Sequence, residues 1–151
     1  MNISSVAGKI AAPFIGAYAS SKHGLEGLSE SLRRELFLYG IDVIIVGPGS
    51  VVTPIWDKAE AKDYSAYAHT EYAPLIERFS KYFIAEGRKG LSSEKIGEAI
   101  YLALTTKHPK VRYAVVPQRF TNWTIPRLLP RRLIDKLITR QLMSAKEQPR
   151  T

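Results

Sequence analysis

Asn2-Ile3-Ser4-Ser5-Val6-Ala7-Gly8, followed after Pro13 by Tyr18-Ala19-Ser20-Ser21-Lys22, is the stretch on which the fold turns. Tyr18 and Lys22 are four apart, so on a helix they share one face and the ammonium lies near the phenol. A nearby cation favours the ionised form of a tyrosine, whose free pKa is about 10, and brings it closer to acid–base work near neutral pH. A serine hydroxyl beside it can hold an oxygen on which negative charge develops. A Tyr-x-x-x-Lys pair alone is common, and its ordinary reading is a surface lysine beside a half-buried tyrosine. Two further features lift it above that. Ser5 precedes Tyr18 by thirteen residues, and Pro48-Gly49-Ser50-Val51-Val52-Thr53-Pro54 follows a strand-like run downstream.

The surrounding chain alternates helix and strand. Gly16 to about Leu38 reads as a long helix, with Leu25, Leu28, Leu32 and Leu36 as its apolar stripe and Arg33, Arg34 and Glu35 on the solvated side. Gly24 and Gly27 permit close approach of another element, and Gly40 suits the residue just past the helix end. Ile41 to Val46, apolar apart from Asp42 and rich in β-branched residues, reads as a strand buried on both faces of a parallel sheet, stopped by Gly47-Pro48-Gly49. Ligands of such sheets sit outside the carboxyl ends of the strands, which places a ligand at the Pro-Gly turn.

With both motifs in place, residues 1–60 resemble the short-chain dehydrogenase/reductase superfamily, and 60–151 share its general layout. The resemblance implies an α/β, Rossmann-like doubly wound parallel sheet of which only the last three strands and their helices are present. It implies hydride transfer between an alcohol and a carbonyl with NAD or NADP. Tyr18 would be the general acid/base. Lys22 would favour the ionised phenol and hydrogen-bond the nicotinamide ribose, and Ser5 would stabilise the reacting oxygen. Pro48, Gly49 and Val51 would line the nicotinamide, and Thr53 would bind its carboxamide. The helix 16–38 would pack against its copy in a homo-oligomer. The Ser21-to-Leu28 run and the basic tail look most like retinol- and steroid-type dehydrogenases.

Family features that are not found in these residues matter equally. No Gly-x-x-x-Gly-x-Gly or Gly-x-Gly-x-x-Gly follows a strand, so the cradle that holds a pyrophosphate on a helix N-terminus is absent from residues 1–151. The residue that selects NAD over NADP, the Asn-Asn-Ala-Gly segment and the separate catalytic Asn are absent too. The expectation is the C-terminal half of an enzyme, residues 1–143, with 144–151 as a tail. The alternatives are a non-catalytic fragment acting through subunit association and one half of a split enzyme.

The remainder is less specific. Residues 55–90 are rich in aromatics and stand where the family has a substrate lid. A lid over a hydrophobic substrate and simple packing are both open readings. Tyr72 to Glu86 reads as a helix, Ser93 to Thr105 as another with Ser92 as N-cap, and Arg112 to Val116 as a short last strand. His23, His69 and His108 have no ligand-spaced companion, so no metal site is expected. Without cysteine there are no disulfides, thiolate metal sites or cysteine nucleophiles. The +8 net charge belongs to residues 107–151, where eleven Lys/Arg face Asp135 and Glu147. Within them, 126–142 reads as a basic amphipathic helix with Leu129, Leu133 and Leu137 on one side. It suits either a lid with a solvated basic face or peripheral contact with an anionic membrane. Nucleic-acid binding is disfavoured because no nucleic-acid module surrounds the patch. The expected location is cytoplasmic, with membrane association left open.

Overall fold

The computed structural model describes residues 1–144. Three parallel strands, β1 (Asn2–Ile3), β2 (Ile45–Pro48) and β3 (Arg112–Val115), lie in the order β1-β2-β3. Asn2 and Ile3 pair with Ile45 and Val46, and Ile45 to Pro48 pair with Arg112 to Val115. Between β1 and β2 runs α1 (Gly16–Phe37), preceded by a 3-10 turn at Val6–Gly8. Between β2 and β3 come α2 (Ile55–Glu60), a 3-10 turn at Ser65–Tyr67, α3 (Ala73–Gly87) and α4 (Ser93–Thr105). A π-helical turn at Phe120–Thr124, α5 (Ile125–Leu128) and α6 (Arg131–Ser144) follow. The expected tail lies outside the described residues beyond Ser144.

Helix extents match the sequence reading at α1, α3 and α4; Ser92 stands at the N-cap of α4, though its side chain makes no capping hydrogen bond. Gly40 takes φ +68° just past α1, a conformation open to glycine at no cost in Cβ clash. The second strand is shifted. It was expected over Ile41–Val46, yet the ladder runs from Ile45 to Pro48, while Ile41 and Asp42 are exposed. The Gly-Pro pair does not stop it. The bonds toward β3 use the Ile45 and Gly49 N–H groups, to Val111 and Val115 carbonyls at 2.9 Å each, so the N–H that Pro48 lacks is not needed on that side.

The single amphipathic helix expected over 126–142 is broken. Leu129 is extended (ψ 146°), as the residue before a proline prefers, and α6 restarts after Pro130. Ile134, Ile138 and Leu142, four apart, are the more covered face of α6, while Leu133 and Leu137 remain exposed. The face of α1 also differs from expectation. Leu25, Leu32 and Leu36 of the expected stripe are half-buried, but Leu28 is 62% exposed, and the fully buried positions are Ala19, Glu26 and Ser29. Hydrogen bonding explains the rotation: Ser29 Oγ accepts from Asn2 Nδ2 at 2.8 Å, and Glu26 is paired to Arg112. The apolar core centres on Val43 to Val46, Ala7 and Ala103, with a second cluster of Trp56, Ile76, Phe79 and Ile84 between α2 and α3.

Candidate active site

Parallel β1 and β2 deliver Ser5 and Pro48-Gly49 to the same end of the sheet. Ser5 is extended (φ −159°, ψ 166°), and its Oγ accepts the Ala7 N–H at 3.1 Å, which starts the 3-10 turn. The same hydroxyl donates to the Pro48 carbonyl at 3.5 Å, a long bond readily exchanged for a better acceptor. From α1, Lys22 Nζ donates to the Ile3 carbonyl at 3.1 Å, two residues before Ser5, and lies 5.9 Å from the centroid of the Tyr18 ring. Tyr18 itself is 48% exposed, so its phenol opens to incoming molecules.

The Pro-Gly turn is tightly held. A Cβ on Gly49 would lie 3.0 Å from Val116 Cγ1, so the turn packs against the end of β3. Beyond it, Leu91 N–H donates to Ser50 O and Val52 N–H to Leu91 O, both at 2.9 Å, and Trp56 Nε1 donates to Val51 O at 2.7 Å. Ser5, Lys22, Pro48 and Gly49 thus gather at one end of the sheet, with Tyr18 joined to them through Lys22; Val51, half-buried, is engaged by Leu91 and Trp56. Thr53 stands apart on an exposed limb, where its carbonyl accepts the Trp56 N–H at 3.4 Å.

Packing accounts for much of the aromatic content of 55–90. Trp56 meets Phe83 edge to face at 5.5 Å, Phe79 stacks on Phe83 at 5.2 Å, and a Cβ on Gly87 would overlap the Trp56 indole. Phe14 and Tyr72 differ, being 43% and 61% exposed. Phe14 lies four residues before Tyr18 with φ +61°, a strained conformation for a bulky residue. Its ring contacts Phe79 at 5.5 Å and Tyr72 at 6.4 Å, an aromatic cluster that joins the segment before α1 to α3.

Sequence reasoning missed a polar cluster beneath this site. Arg112 Nε donates to both Glu26 carboxylate oxygens at 3.0 and 3.2 Å, and Arg112 Nη2 donates to the Ser5 carbonyl at 3.0 Å. Lys9 Nζ lies 3.5 Å from Glu26 Oε2, and the Glu26 side chain is 2% exposed. The Arg112 guanidinium also lies over the Trp123 ring at 4.2 Å, as does Arg127 at 4.6 Å. Burial pulls the Arg112 pKa below its ordinary value, while Glu26 opposes that shift. The one signal in the sequence was Glu26 itself, one turn beyond Lys22 on the same helix face. Nothing in the spacing pointed to a partner 86 residues away.

Comparison with known proteins bears on the family and the fold. Residues 1–64 match the short chain dehydrogenase family. The chain is 34% identical over 142 residues to the NADPH-dependent 3-dehydrocapnine reductase of Ornithobacterium rhinotracheale, covering 94% of this chain and 50% of that protein. It is 31% identical over 150 residues to retinol dehydrogenase 5 of Mus musculus, covering 92% and 47%. A short-chain dehydrogenase from Streptomyces avermitilis shares the fold with a TM-score of 0.61 at 24% identity, over 97% of this chain and 51% of that one. The chain spans about half the length of the curated relatives it matches. Among the described residues, no helix is long and apolar enough to cross a membrane, and no cluster of three or more His, Cys, Asp and Glu is placed to hold a metal.

Proposed function

This chain belongs to the short-chain dehydrogenase family, and we propose that it carries the catalytic half of an NAD(P)-dependent oxidoreductase interconverting an alcohol and a carbonyl on a hydrophobic substrate. The observation that carries this is the meeting of Ser5, Lys22 and Pro48 at one sheet end, with Tyr18 on the Lys22 face of α1.

When bound, the dinucleotide supplies or accepts hydride at its nicotinamide ring. The residues present fit only that end of it. Pro48, Gly49 and Val51 would line the ring; Thr53, expected at its carboxamide, stands on an exposed limb and would have to turn toward it, and no glycine-rich turn for the pyrophosphate occurs in residues 1–151. An ammonium has three donors and Ile3 takes one from Lys22, so two remain for a ribose hydroxyl and the phenol. Tyr18 gives its proton to the substrate oxygen in reduction and takes it back in oxidation. The Ser5 hydroxyl leaves its long bond to Pro48 and donates to that oxygen as charge grows there. Phe14 and Tyr72 offer an aromatic wall to an apolar substrate. The expected homo-oligomer would use the exposed Leu28 side of α1. The exposed Leu133 and Leu137 of α6, with Arg131, Arg132, Lys136 and Arg140 nearby, suit peripheral contact with an anionic membrane.

The competing reading, association without catalysis, rests on the missing pyrophosphate cradle. Turnover decides between them. The chain, complemented by the glycine-rich half of a relative, is assayed for reduced nicotinamide with long-chain secondary alcohols. Ser5→Ala is expected to lower kcat by about 10²–10³-fold, the effect of losing one donor to a developing oxyanion. Unchanged turnover in Ser5→Ala contradicts the assignment.

A further inference from the structure

We propose that Arg112, clamped by Glu26, is a positioning residue that sets the Ser5 hydroxyl from the far side of the sheet. The inference rests on the catalytic role proposed for Ser5. Arg112 begins β3, at the opposite edge of the sheet from β1. Its side chain reaches across β2 to the Ser5 carbonyl at 3.0 Å. The crossing is possible because the β2 residue beneath it is Gly47, where a Cβ would overlap Arg112 Nη2. Glu26 fixes the guanidinium through Nε, from the turn of α1 that follows Lys22. The Trp123 ring lies against the guanidinium, and only 14% of the Arg112 side chain is exposed.

Its two hydrogen-bond partners thus tie Arg112 to the Ser5 backbone and to the helix carrying Tyr18 and Lys22, while Trp123 covers it from the turn after β3. Ser5 has two competing anchors. Its side chain caps Ala7 and reaches Pro48, and its carbonyl accepts from Arg112 at 3.0 Å and from the Gly8 N–H of the 3-10 turn at 3.1 Å. Without the Arg112 anchor, the Gly8 N–H alone holds the Ser5 carbonyl, the turn loses its tie to the sheet and to α1, and the hydroxyl is freer to leave the line between Ala7 and Pro48. Packing reinforces this from below, since a Cβ on Gly8 would lie 2.7 Å from Ser4 Oγ and 2.9 Å from Glu26 Cγ. The strand end, the turn and Glu26 thus fit as one unit. Lysine cannot replace Arg112, because it lacks the planar fork that bonds a carboxylate and a carbonyl together.

Two substitutions test this on the chain itself. Arg112→Lys keeps the charge and loses the fork. Gly47→Ala leaves Arg112, Glu26 and Ser5 intact and displaces only the flexible end of the guanidinium. Hydrogen exchange at the Ala7 amide, which Ser5 Oγ accepts, reads the hydroxyl position without any turnover. Both variants are expected to speed Ala7 exchange about tenfold or more, with amides of α3, remote from both substitutions, unchanged in the same spectra. In the complemented enzyme at saturating dinucleotide, both are expected to lower kcat on the order of tenfold to a hundredfold with KM for the dinucleotide little changed. Faster Ala7 exchange with no turnover even in the parent chain supports the positioning role and overturns the catalytic reading of Ser5. Unchanged Ala7 exchange in both variants overturns the positioning role, and so does acceleration spread evenly over all amides, which marks a purely structural pair.

Discussion

Replacing Trp56 by phenylalanine measures how firmly α2, α3 and the loop after the Pro-Gly turn are welded together. Trp56 is 8% exposed, and its Nε1 donates to the Val51 carbonyl at 2.7 Å. Phenylalanine removes that bond and leaves a half-buried carbonyl with partial access to water, a loss of about 1 kcal/mol. The smaller ring also gives up contact with Phe83 and Gly87, roughly another 1 kcal/mol of apolar burial. The total, about 2 kcal/mol, corresponds to roughly 4–8 °C in Tm for a domain of this size. Trp56→Ala, which also opens a cavity, is expected to cost about 3–5 kcal/mol. Thermal and urea unfolding followed by far-UV circular dichroism read both. The order alanine worse than phenylalanine worse than parent is required. A Trp56→Phe protein that melts within about 1 °C of the parent refutes the packed account of residues 55–90 and returns them to a detached lid.

Lys22→Met, in the complemented enzyme, is expected to lower both kcat and dinucleotide affinity, since it removes the donor to Ile3 as well as the cation beside Tyr18; steady-state kinetics with varied dinucleotide check it. Residues 1–151 alone are expected to bind NAD and NADP more weakly than micromolar, because only contacts to the nicotinamide end are present; isothermal titration against both decides, and micromolar binding by a monomer contradicts it. The chain alone is expected to self-associate, because β1 leaves one sheet edge unpaired and Phe37, Leu38 and Tyr39 are 75%, 84% and 76% exposed in succession. Light scattering on a sizing column reads this, with a sharp monomer peak as the contrary result.

What the sequence made legible was local. Tyr18 and Lys22 four apart, Ser5 just past a short strand and the Pro-Gly turn are each recognisable within a few residues, although β2 runs through Pro48 before that turn. The long helices were legible because their apolar period and end signals coincide. The register of β2 was not, because it is set by pairing to β1 and β3. The buried face of α1 was legible only in part, through Leu25, Leu32 and Leu36, for a related reason. Leucines announce a core by composition, whereas Glu26 and Ser29 are buried only because Arg112 and Asn2 come from elsewhere to satisfy them. The break at Pro130 was visible in principle, since the residue before a proline avoids helical backbone; the amphipathic pattern on either side concealed it.

Tyr18→Phe tests the central claim most directly. The ring keeps its place on α1, and only the phenolic proton is lost. Measured in the complemented enzyme with chemistry limiting, kcat is expected to fall by about 10²-fold or more, the contribution of a positioned general acid–base group, while dinucleotide affinity stays within about twofold. Near-full turnover in Tyr18→Phe would contradict the account, because no other acid–base group has been assigned to the substrate oxygen at this end of the sheet.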